Sequence, residues 1–263
     1  MDRAPRALVI RTAGTNCDAE MCRAFEAAGA VAELSHVDAL VRDPAPVDRA
    51  ALIGFPGGFS YGDDVASGRL LAARLREKLW PALRSAVERG TPMIGVCNGF
   101  QVLVQLGLLP GPMRGERPGD RPPAPTLALV DNASATFIDR WVRVEAAAPS
   151  ACVWTRGLEG LAFDLPIAHA EGRLIARDER TLDALESGGH VALRYAEDVN
   201  GSQRRIAGVC DESGRVFGLM PHPERFLEWN RHPAGEASDG ETPGLRMFRS
   251  AVGSVTNPEP ATA

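Results

Sequence analysis

Short apolar runs alternate with amphipathic segments through the first hundred residues of the chain. The runs at 7–10, 31–37, 51–55 and 93–96 are typical of buried strands. Helical periodicity separates the first two runs and closes at Gly29, a residue type that often ends helices. This β-α-β alternation predicts an α/β fold in which helices cover both faces of an open, mostly parallel sheet.

The pattern changes along the rest of the chain. A long helical region at 65–88 is expected to kink or break at Pro81, which cannot continue the hydrogen bonds of a helix. From Thr126 onward, short strands and turns dominate, and the apolar strands 206–210 and 216–220 are expected to form a hairpin. We therefore expect β-hairpin additions beside the parallel sheet.

The domain organisation is expected to be simple. The chain has 263 residues, enough for one large domain or two small ones, and residues 1–255 are interpreted as a single domain. The segment 110–125 is dense in Pro, Gly and Arg. It is predicted to be a mobile surface loop, with a linker between domains as the alternative. Residues 256–263 are expected to be a disordered tail.

The strand at 93–96 runs directly into the sequence Cys97-Asn98-Gly99. With Gly95 two residues before the cysteine, this gives Gly-x-Cys-x-Gly, a thiol version of the nucleophile-elbow pattern. A thiol at the N-terminus of a helix is favoured as the thiolate by unpaired N–H groups and the helix dipole. A buried, inert cysteine at a strand–helix junction is the alternative, and the local pattern leaves both interpretations open.

Two further segments have candidate chemistry. The third predicted strand ends in the glycine-rich turn at 56–64, which contains Gly57 and Gly58, and ligands of open α/β sheets bind at the carboxyl ends of strands. A plain tight turn is the alternative.

In the sequence Pro221-His222-Pro223-Glu224, the prolines favour an extended segment in which His222 and Glu224 share a face. Such a pair suits a carboxylate that orients an imidazole, or alternatively a structural salt bridge.

Composition excludes several classes of function. The net charge of −5 gives no basic footprint, so neither nucleic acid nor a membrane surface is expected as a partner. Five dispersed cysteines without a C-x-x-C pair indicate neither a disulfide framework nor a metal site, and a cytoplasmic location is expected. The only lysine, Lys78, lies within a predicted helix, so the chain has no phosphate-binding loop for ATP.

Taken together, these motifs resemble those of the class I glutamine amidotransferases of the triad type. The resemblance is strongest to the glutaminase subunits of phosphoribosylformylglycinamidine synthase, an enzyme of purine biosynthesis. It rests on six stretches in the family's order, which cover about nine-tenths of the chain: 14–18, 56–63, 95–101, 168–173, 200–202 and 220–225. The segment 110–125 and the tail beyond Arg231 depart from the family's pattern. The resemblance implies a flavodoxin-like fold.

The resemblance also implies a role for each site residue. Cys97 would attack the side-chain amide of glutamine and form a γ-glutamyl thioester, with His222 as general base and acid and Glu224 as its orienting carboxylate. The oxyanion hole would use N–H groups of Gly58 and Asn98. The remaining residues are less closely defined: Gln101 and Phe59 would bind glutamine, and His169 and Glu171 would lie at the site mouth, in contact with substrate or partner or in a structural hydrogen bond.

Partners follow from the same resemblance. The synthase reaction consumes ATP to aminate formylglycinamide ribonucleotide, so ATP and Mg²⁺ would be used by a separate large synthase subunit that receives the ammonia. Some members of the family also need a small accessory subunit. No cofactor and no metal is expected on this chain.

Two other functions are considered for the same residues. One is a cysteine hydrolase or peptidase on a related elbow fold, which would not explain Gln101. The other is a non-catalytic regulatory subunit that has kept the fold, against which the intact set Cys97, His222 and Glu224 argues. Cys17, Cys22, Cys152 and Cys210 lack the elbow context and are expected to be packing residues.

Overall fold

The computed structural model describes residues 4–112, 119–235 and 240–257. The central part of the predicted mobile loop (113–118) and most of the predicted disordered tail (258–263) lie outside the described residues. Eleven strands are found within the described part of the chain: β1 (Arg6–Arg11), β2 (Val31–His36), β3 (Leu52–Phe55), β4 (Met93–Val96), β5 (Leu127–Asp131), β6 (Ile138–Ala146), β7 (Ala162–His169), β8 (Glu171–Ala176), β9 (Val191–Tyr195), β10 (Ile206–Cys210) and β11 (Val216–Leu219).

Eight α-helices accompany these strands in the same ranges. They are α1 (Asp18–Ala27), α2 (Val37–Arg42), α3 (Ala45–Arg49), α4 (Arg69–Lys78), α5 (Trp80–Glu88), α6 (Asn98–Leu106), α7 (Glu179–Ser187) and α8 (Pro243–Thr256). Within the described residues, none of these helices is long and apolar enough to cross a membrane.

One sheet of nine strands organises the molecule, in the order β2-β1-β3-β4-β11-β10-β9-β6-β7. The first five strands are parallel and the remaining pairings are antiparallel. The parallel half has the order of flavodoxin-like folds, with β11 as its fifth strand. Strands β5 and β8 form a separate antiparallel pair. The predicted α/β class is confirmed, and the antiparallel strands continue the main sheet.

Four elements were not anticipated from the sequence. Helix α2 starts at Val37, where the second predicted strand was expected to end, and helix α3 lies in the polar segment at 42–49. Strand β7 has the alternating burial of a half-buried strand, but Pro166 interrupts its sequence signal. Because β7 is the last strand in the sheet order, a proline can be accommodated there. Helix α7 begins at the cap Asp178, whose carboxylate accepts from the Thr181 N–H at 2.8 Å.

Other predicted features are found. The helical region at 65–88 is divided into α4 and α5, and Pro81 lies in the first turn of α5, where a proline is tolerated. Strands β10 and β11 form the expected antiparallel hairpin. Described residues in the carboxyl half of the predicted loop at 110–125 are bonded to helices. Arg76 donates to the carbonyls of Pro122 and Pro123 at 3.1 Å, and the Trp80 indole donates to Gly119 O at 3.1 Å.

The parallel strands end at one edge of the sheet, and α6 starts there in close contact with β3. A Cβ atom at Gly99 would lie 1.8 Å from the carbonyl oxygen of Phe55. A Cβ at Gly95 would lie 2.6 Å from Gly99 O. These glycines let the start of α6 lie directly against the end of β3, and this packing fixes the geometry of the turn at Cys97.

We expect Gly99→Ala to destabilise the fold strongly, because the added methyl must push apart two backbone segments. The loss in free energy of unfolding should be at least the ~1–3 kcal/mol that overpacking typically costs. Urea unfolding would measure it. The matched control is Gly253→Ala in α8, where a Cβ meets no atom within 4 Å. This control should gain about 0.5–1 kcal/mol from helix propensity. Equal effects of the two substitutions would contradict the packing argument.

Candidate active site

Cys97 occupies a strained turn between β4 and α6. Its backbone has φ 52° and ψ −108°, a left-handed conformation that is uncommon for a residue with a side chain. The turn is held by the Cys97 N–H, which donates to Leu219 O on β11 at 2.8 Å. The thiol is buried and faces the carbonyl of Ala168 at 3.7 Å. The turn at Cys97 therefore has the geometry of a nucleophile elbow.

His222 and Glu224 follow β11 and are both buried. The His222 ring is hydrogen-bonded through Nδ1 to Glu224 Oε1 at 2.6 Å, and the residues are 1% and 0% exposed. The segment Pro223–Arg225 is a 3₁₀ turn, so the two side chains meet through a turn and not through the extended segment that the sequence predicted. The His222 N–H donates to Pro166 O on β7 at 2.8 Å, which fixes the backbone of the histidine.

The carboxylate of Glu224 sets the state of the imidazole. Because Oε1 accepts the Nδ1 proton, the Nε2 atom is left to face other groups. Among the described residues, Nε2 has no partner in good hydrogen-bonding geometry. Burial alone would lower the pKa of His222, but the charge of Glu224 and interactions with the thiols of Cys17 and Cys97 outweigh burial and raise the pKa well above its usual value.

Gly57, at the end of β3, provides the space in which these groups meet. A Cβ atom at this residue would lie 2.8 Å from His222 Cε1, 3.2 Å from Cys17 Sγ and 3.5 Å from Cys97 Cβ. A methyl at this position would therefore meet the imidazole, the Cys17 sulfur and the Cβ atom of Cys97. The sequence turn at 56–64 is therefore part of the site and more than a plain tight turn.

Asn98 follows Cys97 directly, and Gly58 follows Gly57, whose added Cβ would lie 3.5 Å from Cys97 Cβ. Gly58 has φ 138°, and backbone hydrogen bonds flank it, from Phe59 N to Gly14 O at 2.9 Å and from Asn16 N to Gly57 O at 3.4 Å. Asn98 is the first residue of α6, where a backbone N–H has no acceptor within the helix. The position of both residues is consistent with two N–H donors for an oxyanion.

The side chains of Asn98 and Gln101 form a buried network behind this turn. Asn98 Nδ2 donates to Gln101 Oε1 at 3.0 Å, and Asn98 Oδ1 accepts from the Ser60 N–H at 3.4 Å. Gln101 Nε2 donates to the carbonyl of Glu171. Gln101 therefore connects the elbow helix to the start of β8.

His169 and Glu171 also lie at this end of the sheet. The His169 ring is 3% exposed and bonds through Nδ1 to Asn132 Oδ1 at 3.0 Å, while its Nε2 has no partner among the described residues. Burial, with the charge of His222 as a smaller cause, lowers the pKa of His169 to about 4. Glu171 Oε2 accepts from the Ser67 N–H at 3.2 Å. His169 is thus a neutral imidazole near the site, and Glu171 bonds to the loop that contains Ser67.

Phe59 lies at the rim. Its side chain is 46% exposed and stacks on Phe137, with ring centroids 6.5 Å apart. The pair forms an exposed aromatic surface beside the turn that includes Gly58.

Cys17 is a site residue that the sequence analysis missed. Its thiol accepts from Arg225 Nη2 at 3.1 Å, so Cys17 does more than fill space in the core. A topological signal was available: Cys17 follows β1, which ends at the same edge of the sheet as β3 and β4. Ligand atoms of Cys17, His222 and Glu224 lie within 4.8 Å of one another, a spacing that could also hold a metal ion.

We expect Gly57→Ala to lower the reactivity of Cys97, because the methyl would displace the His222 ring and crowd the Cys17 sulfur. Overpacking of this kind should also cost about 1–3 kcal/mol of the free energy of unfolding. The rate of Cys97 alkylation by iodoacetamide, followed on the Cys97 peptide by mass spectrometry, should fall about tenfold or more. Gly253→Ala serves as the control and should alkylate at the wild-type rate. An unchanged rate in a folded Gly57→Ala protein would show that this contact does not matter.

Comparisons with known proteins place these features in a family. A model described as a CobB/CobQ-like glutamine amidotransferase domain matches residues 4–253. The chain is 40% identical over 257 residues to phosphoribosylformylglycinamidine synthase subunit PurQ of Dehalococcoides mccartyi, a match that covers 94% of this chain and 96% of the relative. It is 41% identical over 247 residues to the PurQ subunit of Novosphingobium aromaticivorans, with coverages of 93% and 95%.

Solved structures agree with these matches. A chain in the structure of PurLQS from Thermotoga maritima superposes with a TM-score of 0.73 and 36% identity, over 95% of this chain and 98% of that chain. A putative GMP synthase subunit from Thermoplasma acidophilum, at 12% identity and a TM-score of 0.59, shares the fold over 97% of this chain and 96% of its own. The chain therefore belongs to the CobB/CobQ-like glutamine amidotransferases, in the family of the PurQ subunits of phosphoribosylformylglycinamidine synthase.

Proposed function

We propose that this protein is the glutaminase subunit of a phosphoribosylformylglycinamidine synthase and hydrolyses glutamine to glutamate and ammonia. The observation that carries the proposal is the arrangement of three buried side chains: Cys97 on a strained elbow, His222 beside it, and Glu224 hydrogen-bonded to His222 Nδ1 at 2.6 Å. This arrangement supplies a nucleophile, a base and an orienting carboxylate from two loops at one edge of the sheet.

In the proposed reaction, Cys97 attacks the side-chain amide carbon of glutamine while its proton is held on His222. The negative charge on the amide oxygen is stabilised by the N–H groups of Gly58 and Asn98. His222 then donates the proton to the amide nitrogen, which leaves as ammonia, and a γ-glutamyl thioester remains on Cys97. A water molecule deprotonated by His222 attacks the thioester, releases glutamate and restores the thiol.

Glutamine would be held by residues around this centre. Gln101 lies in the network behind Asn98, and Phe59 offers an exposed ring at the rim. Since the pKa of His169 is about 4, its Nε2 stays an unprotonated acceptor at neutral pH and could receive a donor of the substrate. Glu171 supports the same wall through its contacts with Gln101 and Ser67.

The ammonia would be used by a large synthase subunit. The sequence contains no phosphate-binding loop, so in this proposal ATP and Mg²⁺ act on that larger protein, where formylglycinamide ribonucleotide becomes formylglycinamidine ribonucleotide. The similarity to a chain of PurLQS supports such an assembly, and a small accessory subunit is included in the proposal. A cytoplasmic location completes it, because a reducing environment keeps a catalytic thiol free.

Hydrolysis of esters or peptides by the same cysteine is the competing function. It needs the same triad but has no use for a buried amide network at Gln101, and the PurQ relatives do not favour it. A non-catalytic role would leave the strained backbone at Cys97 without a purpose.

We expect Cys97→Ala to lower glutamine hydrolysis by about four orders of magnitude or more, since the nucleophile is lost. Release of glutamate would be measured with and without the large synthase subunit, and wild type alone should be weakly active and rise when that partner is added. Cys22→Ala, which changes a thiol on the same chain away from the elbow, should behave as wild type. Hydrolysis unchanged by Cys97→Ala would overturn the site assignment.

We expect His169→Ala to raise KM for glutamine about tenfold while kcat changes little, because a lost hydrogen bond to a charged substrate group costs about 1.5–3 kcal/mol. The measurement is steady-state kinetics beside thermal unfolding. If His169 serves only its bond to Asn132, the variant should instead lose thermal stability and keep the wild-type KM.

A further inference from the structure

Cys17 is a second buried thiol at the centre of the molecule, and the proposed reaction does not use it. It precedes α1 as the N-cap residue and is 1% exposed. The site that Gly57 leaves open brings its sulfur, the His222 ring and Cys97 together, as described above.

Two neighbouring side chains fix the position of the Cys17 sulfur. Arg225 Nη2 donates to Sγ at 3.1 Å, and Sγ lies 3.2 Å from Asn16 Oδ1, which accepts the thiol proton. Arg225 is also paired with Glu20 on α1 at 3.4 Å. Because the thiol proton is directed to Asn16, the sulfur lone pairs are free to face the Arg225 guanidinium and the His222 ring.

Two other roles for Cys17 fit these contacts poorly. A metal held by Cys17, His222 and Glu224 would place a cation next to the Arg225 guanidinium, and it would compete with the hydrogen bond between His222 and Glu224. A role as an alternative nucleophile is disfavoured because burial raises the pKa of Cys17 and keeps it a thiol, although His222 and Arg225 act in the opposite direction.

We propose that Cys17 is a positioning residue for His222. Glu224 holds the imidazole at Nδ1, and the Cys17 sulfur is fixed by Arg225 and Asn16 just before α1. Ligand atoms of Cys17, His222 and Glu224 lie within 4.8 Å of one another, so the sulfur lies beside the ring. The electron-rich sulfur beside the ring favours the positive charge of the imidazolium that forms when Cys97 gives up its proton. A second thiol thus supports the first without reacting. The proposal rests on the proposed role of His222 in catalysis.

The direction of the effect follows from the groups that face His222. Cys97 faces the ring from the elbow, His169 from β7 and Cys17 from the start of α1. Glu224 and Arg225 belong to the turn that contains His222, and Arg225 in turn interacts with Glu20 of α1. Glu224, Cys17 and Cys97 raise the pKa of His222 and so favour the charged ring, whereas burial opposes it. Removal of the Cys17 sulfur should therefore let His222 lose its proton at a lower pH.

The test compares Cys17→Ala with Cys17→Ser and with the control Cys22→Ala, a partly exposed cysteine of the same helix. The ring titration of His222 would be followed by NMR on labelled histidine, in a Cys97→Ala background so that one thiol faces the ring. The chain has five histidines, and a His222→Gln spectrum identifies the signal. This titration needs no glutamine, so its outcome is independent of whether the protein is a glutaminase.

We expect the His222 titration to move to lower pH in Cys17→Ala, to move less in Cys17→Ser, whose hydroxyl oxygen keeps an electron-rich atom beside the ring, and to stay unchanged in Cys22→Ala. With Cys97 intact, kcat for glutamine hydrolysis should fall about fivefold in Cys17→Ala, which corresponds to about 1 kcal/mol, while KM stays within about twofold. A His222 titration that is the same in Cys17→Ala and Cys22→Ala would overturn the proposal. So would a loss of kcat that Cys17→Ser shares in full.

Discussion

The hydrogen bond between His222 and Glu224 is the interaction on which the architecture of the site depends. Both side chains are almost wholly removed from water, and the effective cost of burying such charges is several kcal/mol for each ion. Their mutual bond offsets part of this cost only if both groups are held in fixed positions. The surrounding structure supplies that constraint through the His222 N–H bond to β7 and the 3₁₀ turn that contains Glu224. A nearby guanidinium, Arg225, adds a compensating positive charge beside the carboxylate.

The same edge of the sheet collects the other groups because parallel strands end there together. Gly57 follows β3, Cys97 follows β4 and His222 follows β11, and these three strands are neighbours in the sheet. Glycine is required where backbone segments or reactive side chains come within about 3 Å of each other, as at Gly57 and Gly99. The fold therefore brings residues 97 and 222 together without any long flexible loop between them and the strands.

Much of this could be predicted from the sequence, and the exceptions have physical causes. The buried parallel strands and the elbow gave strong local signals, because apolar runs and paired glycines have few other structural uses. Strand β7 was missed because Pro166 disturbs its alternation, although an edge strand accommodates a proline. Cys17 was missed because its importance depends on contacts with residues more than 200 positions away, which no local pattern encodes. The bonds between Asn98 and Gln101 and between Asn132 and His169 are hidden for the same reason, since buried amides have no sequence period.

The contact between His222 and Pro166 has a consequence for the shape of the whole sheet. β7 is at the far end of a nine-stranded sheet, four strands beyond β11, and yet its carbonyls at Pro166 and Ala168 face His222 and Cys97. A flat sheet would hold β7 about 19 Å from β11, at about 4.8 Å per strand. The antiparallel half must therefore curl back over the edge of the parallel half. The register shifts around Gly208, between β10 and β9, are the kind of irregularity that increases twist. The curvature of the antiparallel half thus places β7 against the site at the end of the parallel half.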